Sequence, residues 1–158
     1  MWSANSGGVR NVKGELIRPT QYEEPTMDGN KRRGMSTNFG IWWDGDLLRE
    51  LLDHETVQKY DWKTGRVNVI KRFDGRFNNG TKSNPCLSGD ILGDWREEVL
   101  VRDAQSTKLK LYTTDIPTDH RITCLMQDVP YRLSIATENV AYNQPPEPGF
   151  YLGVGMKK

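Results

Sequence analysis

Two stretches of this chain repeat one another at a fixed interval, and that repeat limits the folds open to it. Trp42-Trp43-Asp44-Gly45-Asp46-Leu47-Leu48-Arg49-Glu50-Leu51-Leu52 lies over Asp90-Ile91-Leu92-Gly93-Asp94-Trp95-Arg96-Glu97-Glu98-Val99-Leu100. Gly45, Asp46, Glu50 and Leu52 match Gly93, Asp94, Glu98 and Leu100, each pair 48 residues apart. A period of about 40 to 50 residues is the size of one four-stranded propeller blade. A hairpin-like segment with a polar turn follows each motif, at 60–67 and at 101–109, and residues 9–16 read as a third such hairpin.

Between these, short segments alternate polar and apolar residues, at 66–70, 108–112 and 131–136. Period-two alternation bounded by turn formers predicts antiparallel strands, and residues 150–152 read as one more. The expectation is an all-β chain of about three four-stranded blades. Propellers close with about 4 to 8 blades, so the rest of the ring is expected from the same polypeptide or from a partner. Residues 1–158 read as one unit. Within it, 18–38 is expected to be a polar exposed loop, and the prolines at 145, 146 and 148 mark a second loop after the last strand.

Charge and hydropathy exclude several classes. The 22 Lys and Arg against 21 Asp and Glu give a net charge of +1, which does not suggest nucleic acid. No apolar run approaches the ~20 residues that span a bilayer, so no membrane partner is expected. The first residues carry neither a basic segment nor an apolar core, so any export signal is expected to lie elsewhere or to have been removed. Cys86 and Cys124 fit no close-spaced zinc or redox motif, and their pairing stays open between one disulfide and two buried thiols. His54 and His120 share no ligand spacing. There is no Gly-x-Ser-x-Gly elbow, phosphate loop or dinucleotide fingerprint.

The acids of the repeat are the first candidates for chemistry. Asp90, Asp94 and Glu98 stand at positions one, five and nine of a loop entering a strand, where side-chain oxygens can alternate with main-chain carbonyls around calcium. Asp44, Asp46 and Glu50 repeat the arrangement, with Trp42 where Asp90 stands in the other copy. The alternative is that these acids cap tight turns. The next candidate is Asn78-Asn79-Gly80-Thr81-Lys82, in which Asn-Gly marks a tight turn gathering two amides, a hydroxyl and an ammonium. Such a group can bind a sugar that carries a carboxylate, or be only an exposed turn. Tyr142, ahead of Asn143-Gln144-Pro145-Pro146, sets an aromatic ring with a polar tip beside a rigid loop, suited to a sugar face or simply to packing.

Asn38-Phe39-Gly40-Ile41 running into the first motif, the segment 92–99, Asn78 to Lys82, His120-Arg121-Ile122, Tyr131-Arg132-Leu133 and Ala141 to Pro146 together resemble the rhamnogalacturonan lyases of polysaccharide lyase family eleven, in the same order along nearly the whole chain. The resemblance implies an eight-bladed, calcium-binding propeller of which this chain is the carboxy-terminal portion. It implies an enzyme that cleaves the rhamnose–galacturonate linkage of pectic rhamnogalacturonan-I by β-elimination, secreted or periplasmic. By motif, Asn79, Gly80 and Thr81 resemble the family's sugar-contacting turn. Lys82 resembles its lysine near the uronate carboxylate, a candidate catalytic residue, and Tyr142 a rhamnose-contacting residue. The family's arginine and acidic groups from earlier blades have no matching position here, so the isolated chain is expected to be incomplete. The competing expectations are a non-catalytic, calcium-stabilised carbohydrate-binding propeller module and a half-propeller that pairs with another chain.

Overall fold

The computed structural model describes residues 8–11, 13–19, 23–25, 31–33, 39–80, 83–140 and 144–156. Among them the chain is mostly sheet, with one α-helix. Strands β1 (Gly8–Arg10) and β2 (Leu16–Pro19) form the expected first hairpin. Within the stretch expected to be a loop, β3 (Glu23–Pro25) pairs antiparallel with β4 (Lys31–Arg33), and the remainder of 20–38 lies outside the described residues.

After the second hairpin comes a four-stranded antiparallel meander of β5 (Phe39–Ile41), β6 (Glu50–Asp53), β7 (Thr56–Asp61) and β8 (Arg66–Arg72). The β6–β7 connection has two residues, His54 and Glu55, both at positive φ (45° and 54°), as a tight hairpin turn that matches strand twist requires. It sets the register Asp53 with Thr56, Leu52 with Val57 and Leu51 with Gln58. The fourth sheet contains β9 (Leu87–Gly89), β10 (Glu98–Arg102) and β11 (Leu109–Tyr112), with β10 in the middle.

One sheet thus has four strands and the next has three, where about three four-stranded units were expected. After Tyr112 the chain runs as irregular structure through Asp115-Ile116-Pro117, and a proline has no N–H to give a ladder. Two further expectations are corrected. Residues 131–136 are part of helix α1 (Val129–Thr137) rather than a strand. Asp128 caps it by accepting from the Tyr131 N–H at 3.0 Å, and Pro130 stands in its first turn, a start signal that outweighs the alternation of the following side chains. Residues 150–152 are not a strand: Phe150 and Tyr151 are exposed and only Leu152 is buried.

The core has two parts. Phe39, Ile41, Trp43, Leu52, Val57, Phe73 and Phe77 from the four-stranded sheet and the segment after it pack with Val99 and Val101 of β10. Trp42, Trp95, Leu125, Tyr131 and Leu152 form the second cluster. The consecutive Trp42 and Trp43 feed different clusters, so the first motif joins the two. Cys86 and Cys124 are not bonded to each other, which closes the question of pairing that the sequence left open.

Candidate functional site

The two copies of the repeat are built on the same backbone hydrogen bonds. Glu50 opens β6, and its Oε2 accepts from the N–H groups of Trp43 and Asp44 at 2.9 and 3.2 Å. Glu98 opens β10, and its Oε2 accepts from Ile91 and Leu92, both at 2.9 Å. Asp46 Oδ1 accepts from the Leu48 N–H, and Asp94 Oδ1 from the Arg96 N–H, two residues on in each case. One oxygen of each repeated acid is thus spent on holding its own loop, which is the turn-capping alternative. The copies differ in what the second oxygens do.

In the first copy they converge. Asp44 Oδ2, Asp46 Oδ2 and Glu50 Oε1 each lie 2.7 Å from Lys59 Nζ. Lys59 sits on β7, one step beyond the Leu51–Gln58 pair and so opposite Glu50. Burial pulls the lysine pKa down, but the hydrogen bonds to the three carboxylates outweigh it and hold the ammonium well above its ordinary value. Burial pushes Glu50 up to about 7 against the opposing pull of Lys59. The three carboxylates bring ligand oxygens within 4.8 Å of one another, a set that could hold a metal ion, and all-oxygen donors suit calcium. The point equidistant from them is taken by the ammonium, so the residues as arranged do not also fit an ion.

In the second copy the acids are dispersed. Asp90 is fully buried, with Oδ1 accepting from the Gly93 N–H at 2.8 Å and Oδ2 from the Leu125 N–H at 2.6 Å. Asp94 Oδ2 pairs with Arg96 at 2.5 Å, and Glu98 Oε1 accepts from the Thr113 hydroxyl at 3.1 Å. Among the described residues Asp44, Asp46 and Glu50 are the group that converges; Asp90, Asp94 and Glu98 are each committed to separate partners. Burial also pushes Glu98 above the usual carboxylate range.

The expected sugar-contacting turn is closed by Asn78 and Asn84, whose main chains exchange hydrogen bonds of 2.6 and 3.0 Å. Asn79 and Gly80 are exposed at its tip, both at positive φ (60° and 42°). Asn79 Nδ2 donates to Asn84 Oδ1 at 3.1 Å, and Arg102 Nε to Asn78 Oδ1 at 3.1 Å, which ties the turn to β10. Thr81, Lys82 and Tyr142 lie outside the described residues. The segment after Tyr142 is held by Arg49, which donates to the Pro146 carbonyl at 3.0 Å and to Glu147 at 2.6 Å while its guanidinium lies 4.2 Å from the centre of the Trp42 ring. Sequence reasoning passed over both Lys59 and Arg49. Lys59 is countable from the two-residue turn at His54-Glu55 once that turn is placed. Arg49 carries no local signal for its hold on that segment, because Pro146 and Glu147 lie nearly a hundred residues away.

A family model described as Rhamnogalacturonan lyase family 11, C-terminal domain, matches residues 1–158. The chain belongs to that family. It is 56% identical over 122 residues to the rhamnogalacturonan endolyase YesW of Bacillus subtilis (strain 168), across 77% of this chain and 20% of that protein. It is 51% identical over 132 residues to the rhamnogalacturonan exolyase YesX of the same organism, across 78% and 22%. The crystal structure of YesW superimposes with a TM-score of 0.76 at 53% identity, covering 82% of this chain and 23% of that one. The rhamnogalacturonan lyase PL11 of Bacillus licheniformis gives 0.75 at 53% identity over the same shares. The chain therefore spans about a fifth of the length of the curated relatives it matches.

Proposed function

We propose that this chain is the carboxy-terminal portion of a rhamnogalacturonan lyase that cleaves the rhamnose–galacturonate linkage of pectic rhamnogalacturonan-I by β-elimination, and that it lacks the rest of the active site. The observation that carries the reading is a family match along all of residues 1–158 by a chain that spans only about a fifth of the relatives named as lyases. In this reading the sheets are blades of a propeller completed by further polypeptide, and the substrate, a plant cell-wall polymer, puts the protein outside the cytoplasm, secreted or periplasmic.

The Asn79-Gly80 tip is exposed and presents the Asn79 amide toward solvent, where a sugar could meet it. In β-elimination a base takes the proton from C5 of galacturonate, the electron pair moves to form the C4–C5 double bond, and the C4 oxygen leaves. Neutralising the uronate carboxylate lowers the cost of the carbanion-like state. We assign that neutralisation to Lys82, which follows the Asn79 turn, and a rhamnose contact to Tyr142, both by their place in the family motif. Calcium belongs to the reading through the family resemblance; the described residues of this chain supply acids already paired, in the first copy with Lys59.

The assay is ultraviolet absorbance of unsaturated uronate released from rhamnogalacturonan-I. The intact polypeptide should form product, the isolated chain should form little or none, and in the intact polypeptide Lys82→Ala should slow turnover at least about a hundredfold, the lower end of what one positioned proton-transfer or electrostatic group contributes, with Asn79→Ala slowing it less. Saccharide binding with no product from the intact polypeptide would replace this reading with a carbohydrate-binding module, and full turnover by the isolated chain would overturn the missing half-site.

A further inference from the structure

The internal repeat provides two solutions to one loop within one molecule. Both copies place a glutamate at the start of a strand, clamp the two N–H groups seven and six residues before it, and end with one carboxylate oxygen facing the neighbouring strand. In the first copy that oxygen meets Lys59, and Asp44 and Asp46 join it. The second copy has Leu92 at the position of Asp44, and opposite Glu98, one step beyond the Val99–Tyr112 pair, stands Thr113. There the hydroxyl of Thr113 meets the same glutamate oxygen that Lys59 meets in the first copy. The third carboxylate and the ammonium are thus present together in one copy and absent together in the other.

We propose that the Lys59 ammonium is the resident cation of the first repeat, standing where a divalent ion would otherwise be needed, so that this loop is held without calcium and would become calcium-dependent if the ammonium were removed. Three carboxylates that converge within 4.8 Å repel one another and must share a positive charge. A lysine carries that charge on the strand itself, and its three N–H donors match three acceptors at 2.7 Å. Glu50 is fully buried at its side chain and Asp44 and Lys59 are only about one-fifth exposed, while Asp46 is about half exposed, so solvent compensates Asp46 in part but supplies little to the other two carboxylates. A lysine in this role makes the loop indifferent to chelator, and it holds β7 to the loop before β6. The inference stands apart from the lyase reading, because it concerns the loop and not the substrate.

The test is calcium binding by titration calorimetry and thermal melting, in calcium and in chelator, of the intact polypeptide and its Lys59→Met variant, read as the difference between them. The variant should bind one more calcium ion per chain than the parent, and its melting midpoint should fall in chelator by more than the parent's and return with calcium. Equal stoichiometry in the two proteins overturns the proposal. If Lys59→Met does not fold in either condition, the pair of substitutions Asp44→Leu with Lys59→Thr, which copies the second repeat, decides. A double variant that folds and responds to chelator as the parent does supports the proposal, and one that becomes more chelator-sensitive than the parent overturns it.

Discussion

Glu138 shows most simply how a single buried acid shapes the behaviour of this chain. It is 2% exposed, and its carboxylate accepts from the N–H and hydroxyl of Ser88 at 2.9–3.1 Å. Burial pushes its pKa up to about 7; the Ser88 hydrogen bonds oppose the rise and Glu97 adds to it. A carboxyl held above its unfolded value keeps its proton more tightly in the folded state. The stability it adds is complete below the unfolded pKa and is lost as pH rises to the folded one. Between about pH 4.5 and 7 the fold should lose up to about 3 kcal/mol through this group. Glu138→Gln should remove that part of the slope, measured as melting midpoints across this range. An unchanged slope in the variant would place the proton elsewhere, with Glu50, Glu97 and Glu98 the other carboxyls raised by burial.

Among the elements, helix α1 is the one that local patterning misplaces and tertiary contacts explain. Its residues alternate as a strand would, yet Asp128 and Pro130 supply a cap and a first turn, and Tyr131 and Ile135, four apart, face the second core cluster together. The Tyr131 hydroxyl donates to Glu97 Oε1 at 2.7 Å and accepts from the Asp90 N–H at 2.9 Å. Glu97 Oε2 in turn accepts from the Trp42 N–H at 2.9 Å. The helix is thereby tied to both copies of the repeat through one buried carboxylate. Tyr131→Phe keeps the ring but leaves Glu97 and the Asp90 N–H each one partner short, a cost of about 1–3 kcal/mol. Denaturant unfolding should show that loss, and faster amide exchange in α1 than in β6–β7 would locate it; a midpoint equal to the parent's would mean that the network contributes no net stability.

For the molecule as a whole, the sheet edges that have no partner strand among the described residues are the dominant feature. β8 and β11 each end a sheet, and Ile70, Leu109 and Leu111 on them are exposed. Edges of this kind pair with other chains unless they are covered. The isolated chain should therefore associate in a concentration-dependent way on sizing and light scattering, and, on the proposed reading, joining it to further propeller polypeptide should suppress this. A monodisperse monomer at every concentration would show that the edges are blunted within the chain. The repeat, the turn residues and the strand alternation by themselves determined the sheet class, the two hairpins that follow the motifs, and the Asn79-Gly80 turn, because each depends on residues close in sequence. The second oxygens of the acids were decided only by the tertiary structure. Whether they face an ammonium, a hydroxyl or a main-chain N–H depends on which strand lies opposite and, for Asp90, on the Leu125 backbone 35 residues away in the chain. Strand alternation could not distinguish 131–136 as helix from strand, because a six-residue segment satisfies both periods until the packing against Glu97 and Asp90 selects one.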